Sequence, residues 1–456
     1  MLFLLVACGP RPPSLNPPLP SSLPARYENA LNPDLTRITG PWWKTFQDET
    51  LNQLVEGLLS SSLDLEEALA RIEEKRALYH EALAARFPRL DFSFRGERQK
   101  TVVLAPYFRG GGFITGRFTG SLAASYEVDL WQKLSRASRA ARLRLLAEEE
   151  NRLALAQSLI AELVSRYLEG AFLSCELKVL REEFAIQKEY VRALGKRYEA
   201  GLVAPSILEN ERRLLASLGE EIPRLKAEIA TRKQQLALLL GHYPSLKETN
   251  FSTCSLRLPP PPPGLPSSLL LRRPDIRAAR ARLLAAAEEV AGARAARFPE
   301  ISLTASEGRL SNALNTLLRR RNRFWDLAFA VVQPLFDAGQ RKAREEAARA
   351  RARALAISYA RTVLQAFFEV ENALLLERHW RERLSWAEEQ EKAACQDEKI
   401  KALRYRLGTV SVLDYLKAKH LCVERRRHTL ATRKALLLNR VSLYRALGGG
   451  WPEQKR

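Results

Sequence analysis

The sequence predicts a mainly α-helical protein with a membrane β-barrel segment, built as a duplicated repeat with four strands per chain. Three observations predict it. Long helical patterns break at two Gly-centred stretches, RYEAGLVAPSIL (197–208) and RYRLGTVSVLDYL (404–416). Laid over one another they align Arg197 with Arg404, Tyr198 with Tyr405, Gly201 with Gly408 and Val203 with Val410, an offset of roughly 210 residues that marks an internal repeat. Ahead of each long helix the hydrophobic period changes from helical spacing to strict alternation. Finally, no run of about 18 apolar residues occurs, so a membrane crossing by this chain requires strands that close on themselves.

Length and charge set the outer bounds. A chain of 456 residues exceeds what one core usually serves, so two structural units are expected. The 73 basic and 52 acidic residues leave a net charge of +21. Such a balance is compatible with nucleic acid, anionic lipid or polyphosphate, but Arg is interleaved with Ala and Glu in stretches such as RKAREEAARARARAL (341–355). That pattern reads as a solvated helix face, and no nucleic-acid partner is expected. The five cysteines, Cys8, Cys175, Cys254, Cys395 and Cys422, form no C-x-x-C pair, and no His stands at zinc-ligand spacing. Neither a structural metal nor a disulfide framework is expected from them. Cys8 stands apart: it follows Leu5-Val6-Ala7 and precedes Gly9, as in a bacterial lipobox, and a Pro-rich stretch (11–24) follows as a tether would. The expectation is a lipid anchor at Cys8 behind a shortened signal (1–8), with a tether over 9–40.

The first repeat is expected over 41–250. Leu51, Leu54, Val55, Leu58 and Leu59 recur at helical spacing, and Leu65, Ala68, Leu69 and Ile72 begin a second helix that Pro88 ends. Leu90, Phe92 and Phe94 then alternate with Asp91, Ser93 and Arg95; after Gly110 to Gly112, Phe118, Leu122, Ala124, Tyr126, Val128 and Leu130 oppose a polar set that includes Asp129. A strand apolar on one side and polar on the other suits a barrel wall between lipid and water, with a soluble hairpin packed on the helices as the alternative. From about Leu134 to Tyr198 a helix carries the seam Leu153, Ala156, Ile160, Leu163, Tyr167, and roughly 65 residues make a rod of about 100 Å. Beyond Gly201 a shorter helix returns, with a kink expected at Pro223.

A Pro-rich linker (251–273) leads to the second repeat (274–450), and 451–456 form a tail. Pro274 and Asp275 signal a helix start. AARFPEISLT (295–304) repeats AARFPRLDFS (84–93), Leu327, Phe329 and Val331 alternate, and VVQPLFDAGQR stands where SYEVDLWQKLS stood. A long helix with the seam Ala356, Ala360, Val363, Phe367, Val370, Leu374 reaches the Gly408 tip and returns to Gly448. Four strands are too few to close a barrel, which takes about eight or more, so the chain is expected to oligomerise.

The landmarks LVAC, WWKTFQDETLNQLV, DLEEALARI, ARFPRLDFS with ARFPEISLT, SYEVDLW, GLPSSLLLRRPDIRAA, QPLFDAGQR and RYRLGTVSVLDYL span the whole chain. In this order they resemble the TolC-type outer-membrane efflux channels, in particular the NodT-like lipoprotein branch. The resemblance implies a homotrimer with a twelve-stranded barrel in outer-membrane lipid and a helical tunnel in the periplasm. It also implies two partners: a periplasmic adaptor (membrane fusion) protein and an inner-membrane pump of the resistance-nodulation-division type. It further implies that the tips Gly201, Leu202, Val203, Ala204 and Gly408, Thr409, Val410, Ser411 dock the adaptor. The same likeness places Asp414, Lys417, Ile207 and Asn210 at a gate. Only Asp414 matches an acidic gate position of the family, and a dipole role at its helix start competes with that assignment.

The sequence carries no catalytic constellation, neither a G-x-x-x-x-G-K-[ST] loop nor H-E-x-x-H, and no cofactor or metal is expected. Met1 is the single methionine, which speaks against a Met-built copper(I) path. The chain is therefore expected to be a passive conduit for small molecules. Two alternatives remain open at this point: a duct for secreted proteins, and a basic coiled-coil scaffold.

Overall fold

Pro88 and Pro299 mark the points where helix gives way to strand, each after the same one-turn closure: Phe87 N–H donates to the Ala84 carbonyl at 3.0 Å and Phe298 N–H to that of Ala295 at 3.1 Å. The computed structural model describes residues 9–19, 27–29, 40–102, 112–244, 251, 257–260 and 272–449. Helices are α1 (Glu49–Ser61), α2 (Leu63–Ala84), α3 (Lys133–Glu199), α4 (Pro205–Leu239), α5 (Pro274–Ala295), α6 (Gln340–Arg406) and α7 (Val412–Ala446). Strands are β1 (Arg89–Val102), β2 (Gly112–Glu127), β3 (Glu300–Ser311) and β4 (Arg323–Val332). The two long helices have 67 residues each and the two returning helices 35 each, so the duplication extends to element length.

The chain divides into two spatial units, and each draws on both sequence repeats. The first unit (1–19, 71–149, 278–360) holds the sheet, in the order β1-β2-β3-β4 and antiparallel throughout. Directly paired residues share a face, so the register alone sorts the side chains. Phe92 pairs with Leu122, Tyr126 with Leu303, and Leu303 with Phe329; on the other face Ser93 pairs with Ser121, Ser125 with Thr304, and Ser306 with Asp326. Below the strands, Ala286 and Val290 of α5 pack on Ala352 of α6, and Arg136 pairs with Glu288 at 2.9 Å. Small side chains permit this close helix approach, and the buried guanidinium is compensated by a carboxylate.

The expected alternation through Val128 and Leu130 overshoots the strand. β2 ends at Glu127, and the Asp129 carboxylate accepts from the N–H groups of Leu134 (2.9 Å) and Ser135 (2.7 Å), at the start of α3. An acidic side chain satisfying orphan donors at a helix N-terminus outweighs continuation of the pleat. Asp337 does the same in the second repeat, accepting from Gly339 N–H and Arg341 N–H.

The second unit (20–70, 150–277, 361–456) is helical. Its core gathers the aromatic start of the first repeat: Trp42 stacks on Tyr444 with ring centroids 5.1 Å apart, and Trp43, Phe46, Leu51 and Val55 pack with Leu163, Tyr167, Leu236 and Val441. Asp48 caps α1 by accepting from Leu51 N–H, and it accepts the Tyr167 hydroxyl at 2.7 Å, so one buried carboxylate fixes both helix start and helix packing. Glu377 on α6 is almost wholly buried; it accepts two hydrogen bonds from Arg440 of α7 at its Oε1 (3.0 and 2.8 Å) and one at Oε2 (3.1 Å), while Arg381 reaches Oε1 at 2.6 Å. The helix start read at Pro274 and Asp275 is present, with Asp275 accepting from Ile276 N–H and pairing with Arg273. α4 runs unbroken through Pro223, held on either side of it by Leu218 and Leu225 against Leu173, Leu177 and Leu180 of α3.

The cysteine reading needs correction. Cys395 of α6 and Cys422 of α7 form a disulfide, and Cys175 is disulfide-bonded as well. Absence of a C-x-x-C pattern excludes little in a hairpin. Residues about equally far from the Gly408 tip face each other across antiparallel helices, and Cys395 and Cys422 lie about 13 and 14 positions from it. Their Cα atoms are 4.6 Å apart, within bridging range.

Candidate functional site

The two hairpin tips are built alike. At the first, Gly201 takes φ +71°, its N–H donates to the Tyr198 carbonyl at 2.9 Å, and Leu202 N–H donates to that of Arg197 at 2.9 Å. At the second, Gly408 takes φ +72°, with Gly408 N–H to Tyr405 O at 3.0 Å and Thr409 N–H to Arg404 O at 2.9 Å. This is the helix stop in which a left-handed residue satisfies the last carbonyls, and a glycine reaches it without Cβ strain. Ala204 and Ser411 then stand at the caps of α4 and α7, and Pro205 fits the first helical position.

The most exposed apolar residues at the tips are Leu202 and Leu407 (73% and 68% exposed), while Val203 and Val410 are partly buried. Val203 packs against the cluster of Tyr190, Leu194, Leu208, Leu413 and Leu416, which ties the first tip to the second hairpin. Valine follows the glycine by two positions in both repeats, packed inward at Val203 and partly buried at Val410, while the leucine beside each turn stays exposed.

Asp414 is exposed, its carboxylate accepts from the Ser411 hydroxyl at 2.6 Å, and its N–H donates to Ser411 Oγ at 3.2 Å. The pair forms a reciprocal cap, so the dipole role weighed against the gate role is present in the structure. Lys417 is exposed with its ammonium 5.9 Å from the centre of the Tyr190 ring. Ile207 is half exposed, and Asn210 accepts from Arg213 at 3.0 Å. All twelve tip and gate positions thus lie in the distal part of the second unit. Cys8 lies outside the described residues.

Deeper along the hairpins the second unit carries a polar knot that sequence reading missed. Glu183 of α3 is buried and faces His420 (3.5 Å) and Arg427 (3.6 Å) of α7, and Arg427 also reaches Glu221 of α4 at 3.3 Å. Burial pushes the Glu183 carboxyl above its ordinary range despite the attraction of Arg427 and His420, with Glu424 and Glu221 adding repulsion. Arg426 joins Glu182 at 3.1 Å, so the two hairpins are crossed by charges as well as by apolar packing. The partners are far apart in sequence, and nothing in local periodicity signals them.

The sheet is the other functional surface. One face is apolar and open: Phe92, Trp325 and Leu327 are each about three-quarters exposed. The opposite face is hydroxylic and charged, with Ser93 against Ser121 (3.0 Å) and Ser306 on Asp326 (2.8 Å). A polar cavity of about 630 Å³ at the loop end of the strands is lined by Glu97, Gln99, Arg117, Asn312, Arg321 and Asn322 among others. Among the described residues no helix is long and apolar enough to cross a membrane, and no cluster of His, Cys, Asp or Glu is arranged to hold a metal.

This arrangement of hairpins and sheet is shared. The chain is matched by the family described as "Outer membrane efflux protein" in two blocks, residues 54–242 and 265–449. It is 30% identical over 460 aligned residues to the pyoverdine export outer membrane protein OpmQ of Pseudomonas aeruginosa, covering 100% of this chain and 96% of that one. To the cation efflux system protein CusC of Escherichia coli K12 it is 29% identical, covering 98% and 97%. The solved outer-membrane channel OprN superposes with a TM-score of 0.84 at 31% identity, over 95% of this chain and 98% of that one. Channels of this kind are conduits and not enzymes, and the scaffold alternative loses its ground. Matched over both repeats and along its whole length, the chain belongs to the outer membrane efflux protein family and is an outer-membrane channel component of an efflux system.

Proposed function

We propose that three copies of this chain close one twelve-stranded barrel in the outer membrane, with the helical hairpins standing in the periplasm as a passive duct. The observation that carries this reading is the sheet itself. Its order leaves β1 and β4 each with one unpaired edge, and its apolar face is open, a state that lipid tolerates only when every edge is closed by another strand. Four strands per chain and a closed barrel of about eight or more fit an assembly of several copies. The Cys395–Cys422 bridge supports a periplasmic setting for the hairpins, because disulfides persist in oxidising compartments and are rare in the cytosol.

The tips are the docking surface for a periplasmic adaptor, which connects the channel to an inner-membrane pump of the resistance-nodulation-division type. Leu202 and Leu407 are the apolar contacts that an adaptor hairpin covers, with Gly201, Val203, Ala204, Gly408, Thr409, Val410 and Ser411 shaping the turns beneath them. Asp414, Lys417, Ile207 and Asn210 face the constriction, where three copies of a carboxylate repel one another and attract cations. Cys8 carries the lipid that anchors the amino-terminal tether. The cargo is a small molecule delivered by the pump; relatives named for pyoverdine export and for cation efflux indicate that the same duct serves unlike cargoes.

Cysteine substitutions at Leu202 and Leu407, combined with a thiol cross-linker in intact cells and mass spectrometry of the products, test the docking reading. The expected product is a link to a periplasmic adaptor. Extraction only with detergent, as a heat-resistant trimer, is expected of the same protein; recovery as a water-soluble monomer overturns the reading.

A further inference from the structure

The lipid-facing side of the sheet changes character along its length. On β1 the positions of this face run Leu90, Phe92, Phe94, Gly96, Arg98, Lys100; on β4, read toward the same end, they run Val331, Phe329, Leu327, Trp325, Arg323. β3 follows suit with Ile301, Leu303 and Ala305 before Glu307 and Arg309. These three strands thus pass from aliphatic to charged in one direction, away from the end where α2 and α3 join the sheet, whereas β2 stays uncharged on this face through Phe118, Gly116 and Ile114; exposed Phe94 and Trp325 stand at the changeover.

Beyond that changeover Arg98, Lys100 and Arg309 have no carboxylate partner among the described residues. Arg98 and Lys100 are exposed and make no side-chain hydrogen bond or ion pair among the described residues. The Arg309 guanidinium donates to two carbonyls of the β3–β4 connection, Leu318 at 2.6 Å and Arg319 at 3.1 Å, neutral acceptors that leave it without a carboxylate partner. That connection is internally braced: Ser311 and Thr316 share a hydroxyl hydrogen bond at 2.6 Å, and Asn322 donates to the Thr316 carbonyl at 2.6 Å. On this braced loop Leu318 is nonetheless 80% exposed, beside an exposed Arg319 whose side chain makes no hydrogen bond or ion pair among the described residues. Glu307 is matched by Arg323 at 2.6 Å, which removes the carboxylate that the other cations would use. The helix-side end of the sheet contrasts with this: there Arg89 pairs with Asp91, Lys133 with Glu127, and Arg297 with Glu345.

We propose that Arg98, Lys100, Arg309 and Arg319 form a basic collar that binds the phosphate groups of anionic lipid in the outer leaflet. The inference rests on the channel reading above, which puts this end of the strands on the exterior side of the membrane. Aliphatic, then aromatic, then cationic is the order of hydrocarbon, interface and headgroup, and long basic side chains reach phosphates while their stems stay in lipid. Guanidinium groups match phosphate oxygens in pairs. Leu318 decides between a lipid and a free anion, because an exposed leucine beside the cations has no use to a soluble phosphate and inserts readily among acyl chains. Arg321 turns to the polar side and lines the cavity there, so it is not part of the collar.

The test uses the full-length protein, purified as the detergent-stable oligomer and titrated by native mass spectrometry. Three probes are compared: diphosphorylated lipid A, the same lipid with its phosphates removed, and inorganic pyrophosphate. The wild type is expected to retain the phosphorylated lipid preferentially, and pyrophosphate is not expected to displace it. The variant R98Q/K100Q/R319Q removes three collar cations whose side chains make no hydrogen bond or ion pair among the described residues. It is expected to keep the heat-resistant oligomer while its affinity for the phosphorylated lipid falls by about two orders of magnitude. Equal retention of both lipids, an unchanged triple variant, or full displacement by pyrophosphate each overturns the collar. A protein that never forms a detergent-stable oligomer fails at the earlier step, so the two failures are told apart.

Discussion

Replacing Cys395 and Cys422 together by alanine perturbs one covalent link and little else, since both lie on helices that remain hydrogen-bonded. The bridge closes a segment with a sequence separation of 27 residues. In the chain-entropy account a closed loop of that size restricts the unfolded chain by about 3.5 kcal/mol, between the values for short and long loops. The restriction acts only on unfolding that passes beyond the bridge. If just the tip opens, the folded helices on either side already hold positions 395 and 422 together, and the bond adds nothing. Denaturant titration of helical circular dichroism should therefore show the hairpin unit weakened by about 3 kcal/mol, while hydrogen exchange of amides near Gly408 stays within about twofold of wild type. Reductant is no substitute for the double variant, because Cys175 is also disulfide-bonded. A loss below about 1 kcal/mol, or tip exchange that accelerates with the global change, refutes the reasoning. So does alkylation of both thiols in unreduced protein taken directly from cells, which also removes the support for an oxidising compartment.

Other perturbations have equally definite outcomes. Glu377→Ala strands the mostly buried Arg440 without its carboxylate and is expected to cost about 3–5 kcal/mol in denaturant unfolding, well above the cost of removing a surface pair. Gly408→Ala meets no atom within 4 Å, so its cost is conformational, about 1 kcal/mol, and should appear as faster hydrogen exchange confined to the α6–α7 tip. Glu183 titrates above its unfolded value, so its contribution to stability is greatest below the ordinary carboxylate range and is lost as pH rises through the raised value. Glu183→Gln is accordingly expected to raise the thermal midpoint relative to wild type at pH 7, and the gain should shrink as the pH is lowered toward 4.

Much of the fold was legible because it rests on periodicity. Pro88 and Pro299 each end a helical pattern immediately before alternation begins, and the shared ARFP stretch made the second pair of strands readable from the first. Gly201 and Gly408 were legible for a related reason: a helix stop needs one residue of particular backbone freedom, and its neighbours repeat. What escaped was set by tertiary contact. Asp129 continued an alternating pattern yet serves the start of α3, because capping is decided by the residues that follow. Val203 and Leu202 are both apolar in sequence, and only the packing of Tyr190 and Leu413 decides which is covered. Glu183, His420 and Arg427 come from distant helices, and the Cys395–Cys422 bridge was visible only by measuring distance from the hairpin tip.

The two raw margins of the sheet, along β1 and β4, also govern heredity. A strand with bare amide and carbonyl groups does not enter hydrocarbon, so in the assembly proposed above siblings join before or while they insert, and every finished ring would be a pooled product of several chains. A copy damaged along either margin spoils the intact siblings it recruits. Alleles that injure β1 or β4 while sparing synthesis will behave as dominant over wild type, whereas alleles that abolish the protein will be recessive.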